Sequence, residues 1–560
     1  MPADSIMSTN GRAQFSTHDV TNQPAPLEHY NVYRTDSALA ETVCRAGADW
    51  AQRELAAYGA LAGGEMIALG FAANENKPKF KLVDRFGNRL DQVEFHPAYH
   101  RLMSLGVEHG VANFTWRNTE RAGANVARAA LMYLHAQPDQ GTCCPLTMTY
   151  ASVPVLRQQE KIAKEWLPRT LSSEYDSRFA PASEKNGVTI GMGMTEKQGG
   201  SDVRANTTRA SPVGGEGAGE WYELVGHKWF FSAPMCDAFL VLAQSPRGLS
   251  CFLLPRFAPD KSVNAIRLQR LKDKLGDWSN ASSEVEFHGA LAQMIGEEGR
   301  GVATILEMVA LTRQDCMIGS AGIMRQALVQ AIHHTQQRKA FGKFLIDQPL
   351  MENVLADLAL ESEAALVLTM RVAAAIGNGE KDEGEAAFAR IATAIGKYWV
   401  CKRCAPFVNE AQECLGGAGY VEESILPRLY RQAPLNALWE GSGTIQCLDV
   451  LRALTREPAS KEALFAELAK AKGASPLMDA AMQSLDEDLR EPDHWESRAR
   501  AIVEKMAVLL QASLLLQAGN NDVANSFCAV RLGADRRAMF GALPLGVHRR
   551  SLIDRAFPGL

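Results

Sequence analysis

The chain has 560 residues and a mass of 61.0 kDa, which at ~100 to 200 residues per domain predicts roughly three or four domains and excludes a small binding module. Hydrophobic residues at 46% and charged residues at 22% sit near globular averages and exclude a disordered, collagenous or coiled-coil chain. A net charge of -5 and a pI near 6.2 advertise no nucleic-acid partner for the whole chain, so any basic site must be local.

Residues 1–30 are polar, hold Pro24 and Pro26, and predict an extended arm. The start has no basic region followed by an apolar one, and no uninterrupted apolar run of roughly 18 residues occurs, so neither export nor a membrane span is expected. Residues 31–186 predict a helical domain, with stretches such as TERAGANVARAALMYLHAQ between the breakers GGEM, NENKPK and PDQG. Over 187–290 the texture turns to short β-prone runs (GVTIGMGMT, YELVGHKWFFS, AFLVLAQ, LSCFLLPRF, SSEVEFH), a β-domain. Helical texture returns in long segments over 291–454, as for a bundle, and residues 455–560 predict a further helical domain. The fold class expected is α+β, mostly α.

Eleven cysteines scattered through a large chain read as reduced thiols of a cytoplasmic protein. Cys401 and Cys404 form one CxxC without a second pair, which favours two helix-buried thiols over a metal site. Vicinal Cys143 and Cys144 would close only a strained ring, so packing is expected there too. The β-domain carries Met192-Gly-Met-Thr-Glu-Lys-Gln-Gly-Gly-Ser-Asp202, a strand running into a loop whose amides and hydroxyls could hold a flat ring edge or a pyrophosphate. Gly226-His-Lys-Trp-Phe-Phe-Ser232 reads by itself as strand core.

Two further motifs change that balance: Arg338-Lys-Ala-Phe-Gly-Lys343, and Trp439-Glu-Gly-Ser-Gly-Thr-Ile-Gln446 after Leu415-Gly-Gly-Ala-Gly-Tyr420. In this order, over about residues 150 to 452, the four resemble the acyl-CoA dehydrogenase superfamily of flavoproteins. PLTMT, RLKDKLG with SNASSEVEF, LPRLYR and the added C-terminal domain are similar to its AidB-like branch of adaptive (alkylation) response flavoproteins, from about Asn22 to Arg452. The resemblance implies an acyl-CoA dehydrogenase-like fold of helical, β-barrel and bundle domains.

It also implies FAD. Met192, Met194, Thr195, Gly200 and Ser201 match contacts to the flavin and its phosphates, and Phe230, Phe231 and Ser232 match the segment beside the flavin's redox face, with Phe230 where many relatives have tryptophan. Gly416, Gly417, Trp439, Gly441, Ser442 and Gly443 complete the implied cofactor site. Arg338 and Phe341 match residues that reach a neighbouring subunit's cofactor, implying a homo-oligomer, a tetramer by resemblance. Glu413 stands where many relatives have glutamine; a carboxylate would repel a phosphate, so it is left out of the site.

Glu440 matches the catalytic base, a carboxylate that removes the proton α to a thioester and works best when burial raises its pKa. Arg313 matches an arginine near that base in several relatives, its other reading being a helix-surface side chain. After Ala524 six arginines (Arg531, Arg536, Arg537, Arg549, Arg550, Arg555) face only Asp535 and Asp554, and are the candidate contacts to double-stranded DNA without sequence preference. Two functions compete. One is a flavoprotein of the alkylation response that binds and protects DNA or inactivates alkylating agents, with weak isovaleryl-CoA-like dehydrogenase activity; the other is a metabolic acyl-CoA dehydrogenase with no DNA role. An acyl-CoA is the candidate small-molecule ligand in both.

Overall fold

A computed structural model describes residues 17–534 and 537–558. Its first domain is built from α1 (Ser37–Arg45), α2 (Gln52–Ala62), α3 (Glu65–Glu75), α4 (Pro97–Glu108), α5 (Phe114–Arg117), α6 (Ala124–His135), α7 (Cys143–Arg157) and α8 (Glu160–Thr170). Local chemistry sets the starts: the Asp36 carboxylate accepts from the Leu39 N–H, satisfying an orphan donor of α1, and Pro97 opens α4 where a missing N–H is harmless. The helical expectation for this domain needs one correction. The NENKPK breaker leads into a hairpin, β1 (Lys79–Val83) and β2 (Arg89–Glu94), with Phe80 opposite Val93. Asp84 makes its turn by accepting from Phe86 and Asn88 N–H groups.

The arm ahead of α1 is extended over residues 17–30, yet it is fastened. Leu27 and Tyr30 are buried, and the Tyr30 hydroxyl donates to Gln326 at 2.8 Å.

The second domain closes a barrel from β3 (Ile190–Gly193), β4 (Arg209–Pro212), β5 (Trp221–Ser232), β6 (Ala238–Ser245), β7 (Gly248–Pro255), β8 (Ile266–Leu271) and β9 (Ser282–Ile295). β6 pairs β3 and β4 in parallel and β7 antiparallel; β7–β9–β5–β4 completes the ring, and β8 flanks β9. Closure leaves few open edges, and β6 and β7, nearly continuous apolar runs, are buried almost end to end.

The third domain is a bundle of long helices: α9 (Gly301–Gln337), α10 (Pro349–Asn378) and α11 (Glu383–Leu415), with the short α12 (Leu426–Gln432) and α13 (Gly443–Arg456). A two-residue ladder, β10 (Lys339–Ala340) with β11 (Lys343–Phe344), caps α9. The C-terminal domain adds α14 (Pro458–Ala469), α15 (Pro476–Asp488), α16 (Trp495–Ala518), α17 (Asn521–Arg531) and α18 (Arg549–Ala556). Helix α16 is apolar enough to pass for a membrane span by composition, but 67% of its apolar window is buried inside the protein, as in a core helix. All eleven cysteines are unpaired; Cys401 and Cys404 lie inside α11 and donate to the carbonyls of Cys316 and Ser320. Among the described residues no His/Cys/Asp/Glu group is arranged to hold a metal.

Candidate active site

Strand β3 ends where the flavin motif begins. The Met194 carbonyl accepts from the Asn206 side chain at 2.9 Å and the Thr195 carbonyl from the Trp229 N–H at 2.8 Å, which joins the loop to β5. Glu196 fixes the loop from beneath. Fully buried, it accepts from Lys228 Nζ at 2.7 Å and from the N–H groups of Thr207 and Thr208. Burial alone would raise that carboxyl; the Lys228 ammonium and the hydrogen bonds overcome it and hold it at about 2. Gly200 folds over Thr195 so closely that a Cβ would lie 2.6 Å from the Thr195 hydroxyl, while Ser201 stays exposed.

Along β5 the side chains alternate. Phe230 is exposed and partly covered by Lys272, whose ammonium sits 4.6 Å from its ring. The Phe231 ring is fully buried in the barrel, 4.2 Å between centroids from Phe239, which leaves its main chain to face a ligand. Ser232 is half-buried and shares a 3.2 Å hydrogen bond with Ser282. Met192 also points into the core.

The two halves of the site meet through the loop between β8 and β9. Lys274 donates to Asp277, to the Asn280 carbonyl and to Ser282, the partner of Ser232. The Asp277 N–H donates to Gln432 of α12 at 2.7 Å. From α12 the chain runs through a short turn into Trp439–Gly443.

There Glu440 adopts φ +57°, a left-handed conformation that non-glycine residues rarely hold. Neighbours enforce it. Lys397 Nζ donates to the carbonyls of Trp439 at 2.7 Å and Gly441 at 2.5 Å; Arg313 Nε and Gln446 Nε2 each donate to the Glu440 carbonyl at 3.0 Å. Trp439 is anchored through its indole N–H on Asn436, and Gly441, at φ +92°, leaves no room for a Cβ, which would lie 2.6 Å from Gln446. The Glu440 carboxylate itself is held by the Thr312 hydroxyl, 2.8 Å from Oε2. Burial raises its pKa, against the Thr312 hydrogen bond and the charges of Lys397 and Arg313. The result is a recessed carboxylate with one oxygen fixed, suited to general-base work.

Ser442 stands at the start of α13 without a side-chain cap, and Gly443 packs against the Tyr398 ring. Gly416, at φ +60°, and Gly417 follow α11, and a Cβ on either would meet only open space. Arg338 donates to the Asn22 carbonyl at 2.5 Å. Phe341 sits at the hairpin tip, 98% exposed with φ +51°. Glu413 is exposed and accepts from Asn409.

Gly416 and Gly417 leave open space beside their backbone, Phe230 is exposed, and the loop at 194–201 is pinned to β5. Sequence reasoning singled out Glu440 and Arg313, which the structure brings together, and did not single out Lys397, Thr312, Gln446 or the Glu196–Lys228 pair. A signal existed for Lys397, a lone cation in the apolar stretch IATAIGKYWVC.

Residues 299–455 match the model of the acyl-CoA dehydrogenase C-terminal domain and residues 191–290 that of its middle domain. Residues 22–177 match the adaptive response protein AidB N-terminal domain, and the chain is 48% identical to the AidB protein of Escherichia coli over 92% of this chain and 95% of that one. The chain belongs to the acyl-CoA dehydrogenase family, in its AidB branch. Acyl-CoA dehydrogenase family member 11 of Caenorhabditis elegans is 31% identical over 77% of this chain and 72% of its own. The structure of C. elegans ACDH-11 in complex with C11-CoA superimposes with a TM-score of 0.83 at 27% identity, over 94% of this chain and 93% of that one. An acyl-CoA dehydrogenase from Bacillus anthracis, complexed with FAD, shares the fold with a TM-score of 0.63 at 18% identity, over 77% and 80% of the two chains. As an acyl-CoA dehydrogenase this protein is an FAD-dependent oxidoreductase.

The arginines after Ala524 are placed differently from one another. Arg531 pairs with Asp357 at 2.5 Å and Glu361 at 2.9 Å, and Arg555 with Glu41 at 2.7 Å and Glu363 at 2.9 Å. Arg550 pairs with Asp347 at the surface; Arg549 is half-buried, Arg537 is exposed, and Arg536 lies outside the described residues.

Proposed function

We propose that Glu440 removes the α-proton of an acyl-CoA thioester, with the residues flanking β3, β5 and the 416–417 glycines holding FAD. The observation that carries this is the Glu440 carboxylate itself, recessed, raised in pKa by burial and held by Thr312 on a backbone that three side chains clamp. Met194, Thr195, Gly200 and Ser201 would receive the cofactor's ring edge and phosphates, Phe230 and Ser232 would line its reactive face, and Trp439, Gly441, Ser442 and Gly443 would close the other side. When bound, FAD accepts the hydride leaving the β-carbon. The thioester carbonyl gains negative charge as the proton leaves, and a main-chain N–H beside Glu440 is suited to stabilise it. The substrate class we propose is a branched short-chain acyl-CoA resembling isovaleryl-CoA, turned over weakly. Anaerobic mixing of the yellow holoprotein with a panel of acyl-CoAs tests this through loss of flavin absorbance. Glu440→Gln should keep FAD and lose the reaction, and an active variant would overturn the assignment.

A tetramer is proposed as well. Phe341 projects from the hairpin tip with almost no cover from its own chain, which suits a side chain that reaches a second subunit. Phe341→Ala together with Arg338→Glu should lower both the mass in solution and the FAD content. The unpaired thiols support a reducing, cytoplasmic setting.

The second reading is a role in the alkylation response, on double-stranded DNA, where the protein protects it or inactivates alkylating agents. It is favoured by the match to the adaptive response model and the 48% identity to E. coli AidB. The arginine patch gives it less support than its count of charges suggested, since Arg531 and Arg555 are neutralised within the chain. A salt titration of duplex binding tests it.

A further inference from the structure

Lys397 is one of the largest fully buried side chains of the protein, 1% exposed in the middle of α11. Burying an ammonium is costly unless a counter-charge lies against it, and among the described residues none within ion-pair distance does. Its two hydrogen-bond partners among the described residues are both main-chain carbonyls, and they belong to Trp439 and Gly441, the residues on either side of Glu440. Arg313 and Gln446 take the carbonyl between them. Three successive carbonyls are thus turned toward donors on α11, α9 and α13. In a trans peptide the N–H points opposite to the C=O. Fixing the Trp439 carbonyl on Lys397 therefore aims the Glu440 N–H away from the bundle, where it meets no acceptor among the described residues.

We propose that Lys397 is the positioning residue of the reaction: its ammonium staples the peptides before and after Glu440, holding the base in its left-handed conformation and presenting its N–H outward. The inference rests on Glu440 being the base. The same ammonium favours the ionised carboxylate from below. The other titratable or charged groups around Glu440 are Arg313 and Cys316 of α9, Cys144 of α7 and, paired to Arg313, Asp449 of α13, while Cys401 of α11 lies near Lys397. Among the described residues no donor other than Lys397 reaches the carbonyls on both sides of the base.

Lys397→Met removes donors and charge at nearly constant length; Lys397→Gln keeps an N–H donor without the charge. Both are compared as FAD-loaded protein with wild type and Glu440→Gln. Two readouts are followed against pH: anaerobic flavin reduction by isovaleryl-CoA, and the enolate absorbance of bound acetoacetyl-CoA, which reports proton removal without flavin reduction. The expected result for Lys397→Met is a loss of about 100-fold in proton removal, as for a catalytic group displaced by about 1 Å. Its melting temperature should be unchanged or higher, and its acid limb shifted to higher pH. Lys397→Gln should share the limb shift but recover much of the rate. If Lys397→Met does not fold, the Gln variant decides, by the same limb shift. Wild-type rate and limb in the lysine variants, with Glu440→Gln inactive, would overturn the role of Lys397 alone. An active Glu440→Gln would remove the base and this inference with it.

Discussion

The loop that carries Glu440 and the segment that ends the chain are both fastened by cations, but in opposite ways. Around Glu440, Lys397 donates only to main-chain carbonyls, so its charge meets no carboxylate within ion-pair distance among the described residues, while Arg313 donates to the Glu440 carbonyl and pairs with Asp449, and the base takes its side-chain hydrogen bond from Thr312. Over α10 the arginines meet carboxylates: Arg531 on Asp357 and Glu361, Arg555 on Glu363 and Glu41. Arg325 completes the strap by donating to the carbonyls of Ala556 and Thr35 while pairing with Asp36. Charge that shapes backbone leaves a field for chemistry; charge that meets its opposite leaves structure and little field.

The comparison breaks most visibly at the base. Glu440→Gln should lower anaerobic flavin reduction by about 10²- to 10⁴-fold, the usual contribution of a positioned general base. In wild type the rate should rise as pH climbs through the raised pKa of Glu440, because the carboxylate must be ionised to accept the proton. A wild-type profile flat from acid to neutral pH would mean that the carboxylate is not held protonated by burial.

On the other side, Arg531→Met removes the cation between two buried carboxylates. Breaking such a pair typically costs ~3–5 kcal/mol because the remaining charge has no compensation. Arg403, which also pairs with Glu361, should soften that loss. The expected outcome is lower stability toward denaturant and earlier proteolysis after α17, with the flavin spectrum of the folded fraction unchanged. Equal stability would show that the strap is held by packing alone.

Legibility in the amino-acid order follows the same division. Trp439–Gly443, the 192–202 loop and the 338–343 turn could be read because each is contiguous, and its residue types carry their chemistry without distant help. Lys397 could not be placed, because its targets lie some forty residues away across a helix pair. The partners of Arg531 and Arg555 lie 170 or more residues upstream, so a local charge count could not see the neutralisation. The β1–β2 hairpin escaped because β1 is mostly exposed and its lysines masked the alternation. The run of three aromatics at 229–231 does not by itself reveal which face each ring takes; the strand's period of two does, turning Phe231 inward and Phe230 outward.

A smaller effect sharpens the picture of the base. Thr312→Val deletes the one hydrogen bond to the carboxylate among the described residues, worth about 1 kcal/mol. Removing a bond to the ionised form raises the pKa of Glu440 further, so the acid limb should move upward and the rate along that limb fall roughly fivefold. An unshifted limb would place the carboxylate's support elsewhere.

The smallest effect expected concerns duplex DNA. Each phosphate contact adds about 0.9 to the slope of log K against log salt on duplex DNA. Arg531 and Arg555 are bound within the chain, and the Arg550–Asp347 pair is exposed on both sides, so it is weak enough to exchange for a phosphate. Per chain, this leaves Arg550 with its neighbours as a short basic patch, not a row of six. Replacing Arg536, Arg537, Arg549 and Arg550 by glutamine should therefore lower the slope by only about 1 to 2. A second set of cations, Lys402 and Arg500, lines a groove of about 900 Å³ between α11, α16 and the Ser442–Gly443 turn, together with Glu504 and with Arg537 of the first set. Lys402→Gln with Arg500→Gln separates the alternatives. If that pair lowers the slope more than the quadruple change does, phosphates approach the groove beside the active-site loop. A fall of about 4 in the quadruple variant would instead return all four arginines to the interface and undo the contrast between the two regions.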